Sequence, residues 1–227
     1  IMGFDLSGLN PQENTPLPKI VTKWQDEDGW VKWKEMESVK GESVKYFEAL
    51  EKWKKENPGD YFRANVWYWR PLWEYVCDVC DDILTEEDME SGTYNDGHEI
   101  NNEKAIEIAD RLKTLHKDGY ILKHQIEREA YLKGLDKEKC TICDGTGKRK
   151  MEKESNKPNI IGIDKLLDVD DDNVNFEEKE KVTETVECNG CQGEGERDRW
   201  ETHYPFEADT VLEFAQFCKQ SGGFSIC

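Results

Sequence analysis

"CTICDGTG" at Cys140–Gly147 and "CNGCQGEG" at Cys188–Gly195 spell one pattern, Cys-x-x-Cys-x-Gly-x-Gly, twice in the same chain. Each Cys-x-x-Cys turn points two sulfurs at one spot, which is half of a closed tetrahedral metal site. The glycines permit positive φ, so backbone N–H groups can turn toward the sulfurs. Two copies complete one coordination sphere, and Cys140, Cys143, Cys188 and Cys191 are expected to hold a single structural Zn²⁺. Four cysteines leave no position open for water, so this metal is not expected to catalyse. Catalytic zinc and redox thiols are the competing readings.

The flanks of the two motifs suit an antiparallel pair. "KRKMEK" follows the first and is basic. "EKVTETVE" precedes the second, with Val182, Glu184 and Val186 alternating with Thr183 and Thr185. Paired, the two strands would set opposite charges across from each other. The charged insert Lys148–Glu187 then leaves the knuckle as an arm and returns to it. Within it, "DVDDDN" at Asp168–Asn173 has the carboxylate spacing of a calcium loop. Asn173 and Lys179 stand where such a loop needs Gly and Glu, so a solvated acidic loop is the reading.

On either side of the arm the periodicity is helical. Residues 1–42 read as irregular, apart from a short hairpin in "TKWQDEDGWVKWKE", Thr22–Glu35, with Trp30 and Trp33 around its Asp-Gly turn. Val44, Phe47, Leu50 and Trp53 line the first clear helix, which Pro58-Gly59 stops. In "YFRANVWYWRPLWEYV", Tyr61–Val76, the aromatic residues alternate as in a short strand. Pro71 suits the first turn of a helix running to about Leu84. Thr85–Gly97 reads as a polar loop. Asn102 caps a helix carrying Ala105, Ile108, Leu112 and Leu115, and another holds Leu122, Ile126 and Ala130 up to Gly134. Val211, Phe214, Ala215 and Cys218 give the last helix its stripe, and Gly222-Gly223 ends it. The fold expected is α+β: a mainly helical, aromatic-rich body over 1–139, a β-hairpin zinc knuckle with its insert over 140–197, and a last helix within 198–227 packing back on the body.

Eight Trp, eight Tyr and eight Phe demand burial, so 36% charged residues do not make this chain disordered. No apolar run is long enough for a membrane helix. "IMGFDLSGLN" lacks the basic and apolar regions of a signal peptide, and a cytoplasmic protein is expected. A formal net charge of −19 opposes contact with nucleic acid and anionic lipid and favours basic protein partners, or serves solubility alone.

The acid is densest in "DVCDDILTEEDME", Asp78–Glu90, which holds seven acids and no base. Asp78, Asp81, Asp82, Glu86, Glu87 and Asp88 are the candidate contacts to a basic, nucleic-acid-binding host protein, against a solvated face as the plainer reading. Arg63, Trp67, Trp69 and Arg70 are candidates for a small phosphorylated ligand, or core. Cys77 and Cys80 sit within a helix and suit buried core cysteines better than a second metal site. Nucleophile elbows, phosphate loops, zinc-protease helices and dinucleotide fingerprints are missing from the sequence, so no enzyme is expected.

Cys140, Cys143, Gly145, Gly147, Cys188, Cys191, Gly193 and Gly195 resemble the repeat of the cysteine-rich region of DnaJ chaperones. That resemblance implies zinc and, in DnaJ, the handling of client polypeptides. DnaJ carries four copies where this chain has two, and the chain lacks the His-Pro-Asp tripeptide. The anti-TRAP inhibitors of bacteria are similar in using such a knuckle to bind another protein. "YFRANVWYWRPLWEYV" with the two motifs, "YPF" and "SGGFSIC" also looks like a family of uncharacterised phage and bacterial proteins. This implies a phage or bacterial gene, and by analogy an inhibitor of a host defence protein. A nucleotide-sequestering protein and a DnaJ-like polypeptide-binding factor are the alternatives.

Overall fold

Apolar residues alternate with polar ones in four short segments far apart in sequence, and these make the central sheet of a computed structural model that describes residues 3–154 and 181–227. Strand β1 (Gly3–Gly8) pairs antiparallel with β2 (Tyr61–Asn65) on one side and β8 (Phe224–Ile226) on the other. Strand β3 (His98–Ile100) adds to β8, so the order is β2-β1-β8-β3. The register sets Leu6 opposite both Phe62 and Ile226, Phe4 opposite Ala64, and Ile100 opposite Phe224. All seven are buried. Asp5, Arg63, Glu99 and Ser225 take the other face, and Asp5 and Arg63 lie 3.4 Å apart across β1 and β2. One apolar and one polar face is the signature of an antiparallel sheet covered on one side.

The expectation of an irregular first 42 residues thus fails at β1. Its pairing partners come from the middle and the far end of the chain, and six residues of weak alternation do not announce a strand on their own.

Helix α4 (Val66–Val79) follows β2 directly and supplies Trp69, Leu72, Trp73 and Val76 to the core, where Phe214 and Phe217 meet them. Asn65 is its N-cap, with Oδ1 accepting from the backbone N–H of Trp67 at 3.0 Å and Tyr68 at 3.2 Å. Pro71 therefore lies inside the helix rather than at its start, and the helix ends at Val79 rather than near Leu84. The Asn cap outweighs the alternation of Trp67–Trp69 that suggests a strand. Thr85–Gly97 is not all loop. Helix α5 (Glu86–Ser91) opens on a capping box in which Thr85 Oγ1 accepts from Asp88 N–H and the Asp88 carboxylate accepts from Thr85 N–H.

Helix α6 (Asn102–Lys117) is capped by Asn101, one residue earlier than expected, and buries Ala105, Ile108, Ala109 and Leu112. It packs on α8 (Ala208–Gln220), whose Val211, Phe214, Ala215 and Cys218 are buried as expected. Helix α7 (Tyr120–Lys133) contacts both and turns Ile121, His124, Gln125 and Arg128 inward. Leu122 and Ile126 are exposed, contrary to expectation. Gln125 Oε1 accepts from the first N–H of α8, and Arg128 Nε donates to Tyr204 O, so polar anchoring sets the rotation of α7.

A satellite cluster of Val21, Trp24, Met36 and Tyr46 joins α1 (Lys19–Lys23), α2 (Trp33–Glu37) and α3 (Glu42–Glu56). The expected turn at Asp28-Gly29 closes a single bridge, Gln25 to Val31, too short for strands. In α3 the inward residues are Tyr46, Ala49, Leu50 and Trp53, while Val44 and Phe47 are exposed.

The mixture of helices with small antiparallel sheets is the α+β fold expected. The chain divides into two compact units: Ile1–Gly134 with Trp200–Cys227, and Leu135–Arg199. The second carries the paired β4 (Glu138–Lys139) and β7 (Glu196–Arg197), and the hairpin of β5 (Lys148–Glu154) and β6 (Lys181–Glu187). Asp168–Asn173 lies outside the described residues.

Candidate metal centre

Both cysteine motifs fold into the same local path. After Cys140-x-x-Cys143, Asp144 takes φ +54, Gly145 +78 and Gly147 +70; after Cys188-x-x-Cys191, Gln192 takes +52, Gly193 +85 and Gly195 +82. The bonds repeat as well. Gly145 N–H donates to Cys140 O at 3.1 Å, and Gly193 N–H to Cys188 O at 3.2 Å. The halves then clasp reciprocally: Cys140 N–H donates to Gly195 O at 2.8 Å and Cys188 N–H to Gly147 O at 2.9 Å. A Cβ on Gly147 would sit 2.2 Å from Gly193 O, and one on Gly195 2.5 Å from Gly145 O. These two positions need glycine for contact as well as for φ.

The clasp brings four buried sulfurs together, all within 4.8 Å of one another. Cys140 Sγ lies 3.8 Å from Cys188 Sγ, and Cys143 Sγ 3.6 Å from Cys191 Sγ. A tetrahedron of sulfurs about 2.3 Å from a central ion has edges of about 3.8 Å, so the cluster has the size of a mononuclear tetrathiolate site. The backbone supports negative sulfur: Gly195 N–H donates to Cys191 Sγ at 3.2 Å, and Gly147 N–H bonds Cys143. Burial opposes ionisation of both Cys143 and Cys191, but the hydrogen bonds from Cys191 and Gly147 lower the Cys143 thiol while that of Cys191 is raised, so one sulfur of this pair ionises before the other. A divalent cation would relieve the crowding of four thiolates, and the donor set offers it four ligands and no vacancy.

The acidic row is divided by the fold. Asp78, Asp81, Glu86 and Glu87 are exposed and make no ion pair among the described residues. Asp82 is held bidentate by Arg111, at 3.0 and 2.8 Å, while the same guanidinium caps α4 through Val79 O at 2.6 Å. Asp88 is buried: besides closing the capping box it bonds His98 Nε2 at 2.9 Å and is paired with Lys104. Burial pushes its carboxyl up, but Lys104, Thr85 N–H and His98 win and hold it far below the usual carboxylate range.

The aromatic–arginine set is divided too. Arg63 lies on the polar face of the sheet beside Asp5. Trp67 joins a ring cluster with Trp200, His203 and Tyr204. Trp69 is fully buried, stacked between Phe4 and Trp73. Arg70 Nη1 donates to Tyr204 Oη at 3.0 Å. Trp69 and Arg70 both border a cleft of about 760 Å³ between α4 and α5, which sequence reasoning missed; Arg63 and Trp67 do not. The overlooked signal is the Thr85–Asp88 capping box, which places α5 against α4.

Cys80 and Cys218 are buried in the main core and Cys77 packs against it, so the Cys77/Cys80 pair joins no metal cluster among the described residues. Burial pushes the Cys77 and Cys80 thiols up to about 12, which suits inert packing. Among the described residues, no helix is long and apolar enough to cross a membrane. No protein family model, no curated protein and no solved structure matches the chain.

Proposed function

We propose that this chain is a non-catalytic zinc protein that acts by binding a basic protein partner. The observation that carries the reading is the closed four-thiolate cluster: zinc saturated by sulfur has no position for water or substrate and serves as a staple. What remains for function is surface, and that surface is acidic. Asp78, Asp81, Glu86 and Glu87 stand exposed without ion pairs among the described residues, on a chain of net charge −19. Carboxylates so arranged attract lysine- and arginine-rich proteins and repel nucleic acid and anionic membranes. A basic nucleic-acid-binding protein is the partner class that this charge suits best. The resemblance to phage and bacterial proteins makes inhibition of a host defence component the form of binding we favour. Nucleotide sequestration draws little support, since Arg63 and Arg70 do not border one cleft.

The test is a quadruple variant, Asp78→Asn, Asp81→Asn, Glu86→Gln and Glu87→Gln, which removes exposed charge and leaves Asp82 and Asp88 to the fold. Immobilised wild-type protein is expected to retain basic proteins from bacterial lysate at low salt and release them as salt shortens screening to below about 10 Å. The variant is expected to retain far less. Equal, salt-independent retention by both would remove the acidic surface from function.

A further inference from the structure

The cleft between α4 and α5 has a floor, a wall and a rim of distinct chemistry. Trp69 and Trp73 form the floor, stacked at 5.3 Å. Both indole N–H groups are already used to hold α5: Trp69 Nε1 donates to Gly92 O at 2.8 Å and Trp73 Nε1 to Met89 O at 3.0 Å. Gly92 makes this approach possible, because a Cβ there would lie 2.1 Å from the Trp73 ring. Both indoles are buried, so the apolar surface a ligand can reach comes from the half-buried Cys77 and Met89 and the exposed Tyr94 that lie over them.

The rim holds three carboxylates, Glu74, Glu86 and Glu90, against one guanidinium, Arg70. Glu86 and Glu90 have no ion pair among the described residues, and Glu74 is 4.0 Å from Arg128 and largely exposed. Arg70 is engaged, bonded to Tyr204 Oη and set over its ring at 5.8 Å. A ligand entering here meets apolar side chains and a rim on which Glu86 and Glu90 are unpaired among the described residues and Glu74 is only loosely paired with Arg128. An anion would be repelled, and a purely apolar ligand would leave the carboxylates without gain.

From this complementarity we infer that the cleft receives a polypeptide segment in which an aromatic or aliphatic side chain is flanked by lysine or arginine. The apolar side chain packs on Cys77, Met89 and Tyr94 above the buried indoles, and the flanking cations meet Glu74, Glu86 and Glu90. A volume of about 760 Å³ accommodates one large side chain with its neighbouring backbone and lies within the roughly 300–1,000 Å³ of ligand clefts. The inference rests on the reading of the chain as a binder of a basic protein, and it assigns the anchor point of that binding.

The test uses the intact zinc-loaded protein and three fluorescently labelled peptides: a Phe flanked by two Lys on each side, the same with Ala for Phe, and the same with Glu for Lys. The Lys–Phe peptide is expected to bind at least about tenfold more tightly than either other, because a buried Phe is worth more than one decade in affinity. Thr93→Trp fills the mouth from an exposed position and is expected to erase the Phe preference while keeping the circular dichroism of the wild type. Glu86→Gln with Glu90→Gln is expected to lower affinity for both Lys peptides and flatten their salt dependence. Equal binding of the Phe and Ala peptides overturns the cleft as anchor and leaves acidic-surface binding standing. So does a Phe preference that survives Thr93→Trp. Failure of every Lys peptide to bind overturns both readings.

Discussion

Asp88 and Asp81 sit seven residues apart in one acidic run and have opposite fates. Asp81 is exposed; Asp88 is buried between Thr85, His98 and Lys104. Removing one member of a buried ion pair strands the other, which costs about 3–5 kcal/mol, whereas an exposed carboxylate is worth less than about 0.5 kcal/mol. Urea denaturation of Asp88→Asn is therefore expected to show a loss of about 3 kcal/mol, and Asp81→Asn almost none; equal effects would contradict the division of the row. The sequence could not separate these residues, because the partners that bury Asp88 and pair Asp82 lie 10, 16 and 29 residues away. The four metal-site cysteines were legible because half of the geometry is local. Each turn sets two sulfurs within four residues, and the repeat itself announces the other half. The Thr85–Asp88 capping box was equally local, yet a run of acids masked it as loop.

At the scale of elements, the long helices were legible, with the buried faces of α6 and α8 as expected, while the rotations of α3 and α7 and the short helices α1, α2 and α5 were not. Val44, Phe47, Leu50 and Trp53 are spaced by three, and a run of threes drifts about 60° per step around a helix of 3.6 residues per turn. Tyr46, Ala49, Leu50 and Trp53 follow the steadier 0-3-4-7 spacing, and these face inward. The short strands β3 and β8, three residues each, carry too little pattern to be read before their pairing is known. Glu42, at the start of α3, fastens α1 to it: the carboxylate accepts from Lys23 Nζ at 2.7 Å, Lys45 Nζ at 3.1 Å and Trp24 Nε1 at 3.2 Å. The bond from Lys23, and then that from Lys45, hold this carboxyl down at about 2, against an ordinary value of 4.5. A carboxyl lowered on folding adds stability above its ordinary value and loses it as pH falls toward the folded one. The stability gap between wild type and Glu42→Gln is thus expected to be full at neutral pH, to shrink from about 4.5 and to vanish near about 2. A gap constant over that window would show that the carboxylate is idle.

For the whole molecule, the sequence placed the knuckle between the helical stretch and the last helix, and it missed that both chain ends enter one sheet through β1 and β8. Non-local pairing of that kind leaves no mark in a window of ten residues. The eight helices among the described residues belong to the unit Ile1–Gly134 with Trp200–Cys227, which has its own core. Among the described residues of the unit Leu135–Arg199, the buried cluster is that of the four cysteines. A metal bound by these cysteines would add folding energy to this unit. If one zinc is closed by these four sulfurs, X-ray absorption at the zinc edge, with elemental analysis of the purified protein, is expected to show one zinc per chain with four sulfur neighbours at about 2.3 Å and no lighter ligand. An oxygen or nitrogen neighbour, a second zinc, iron in its place, or no metal at all after reducing, chelator-free purification would contradict it.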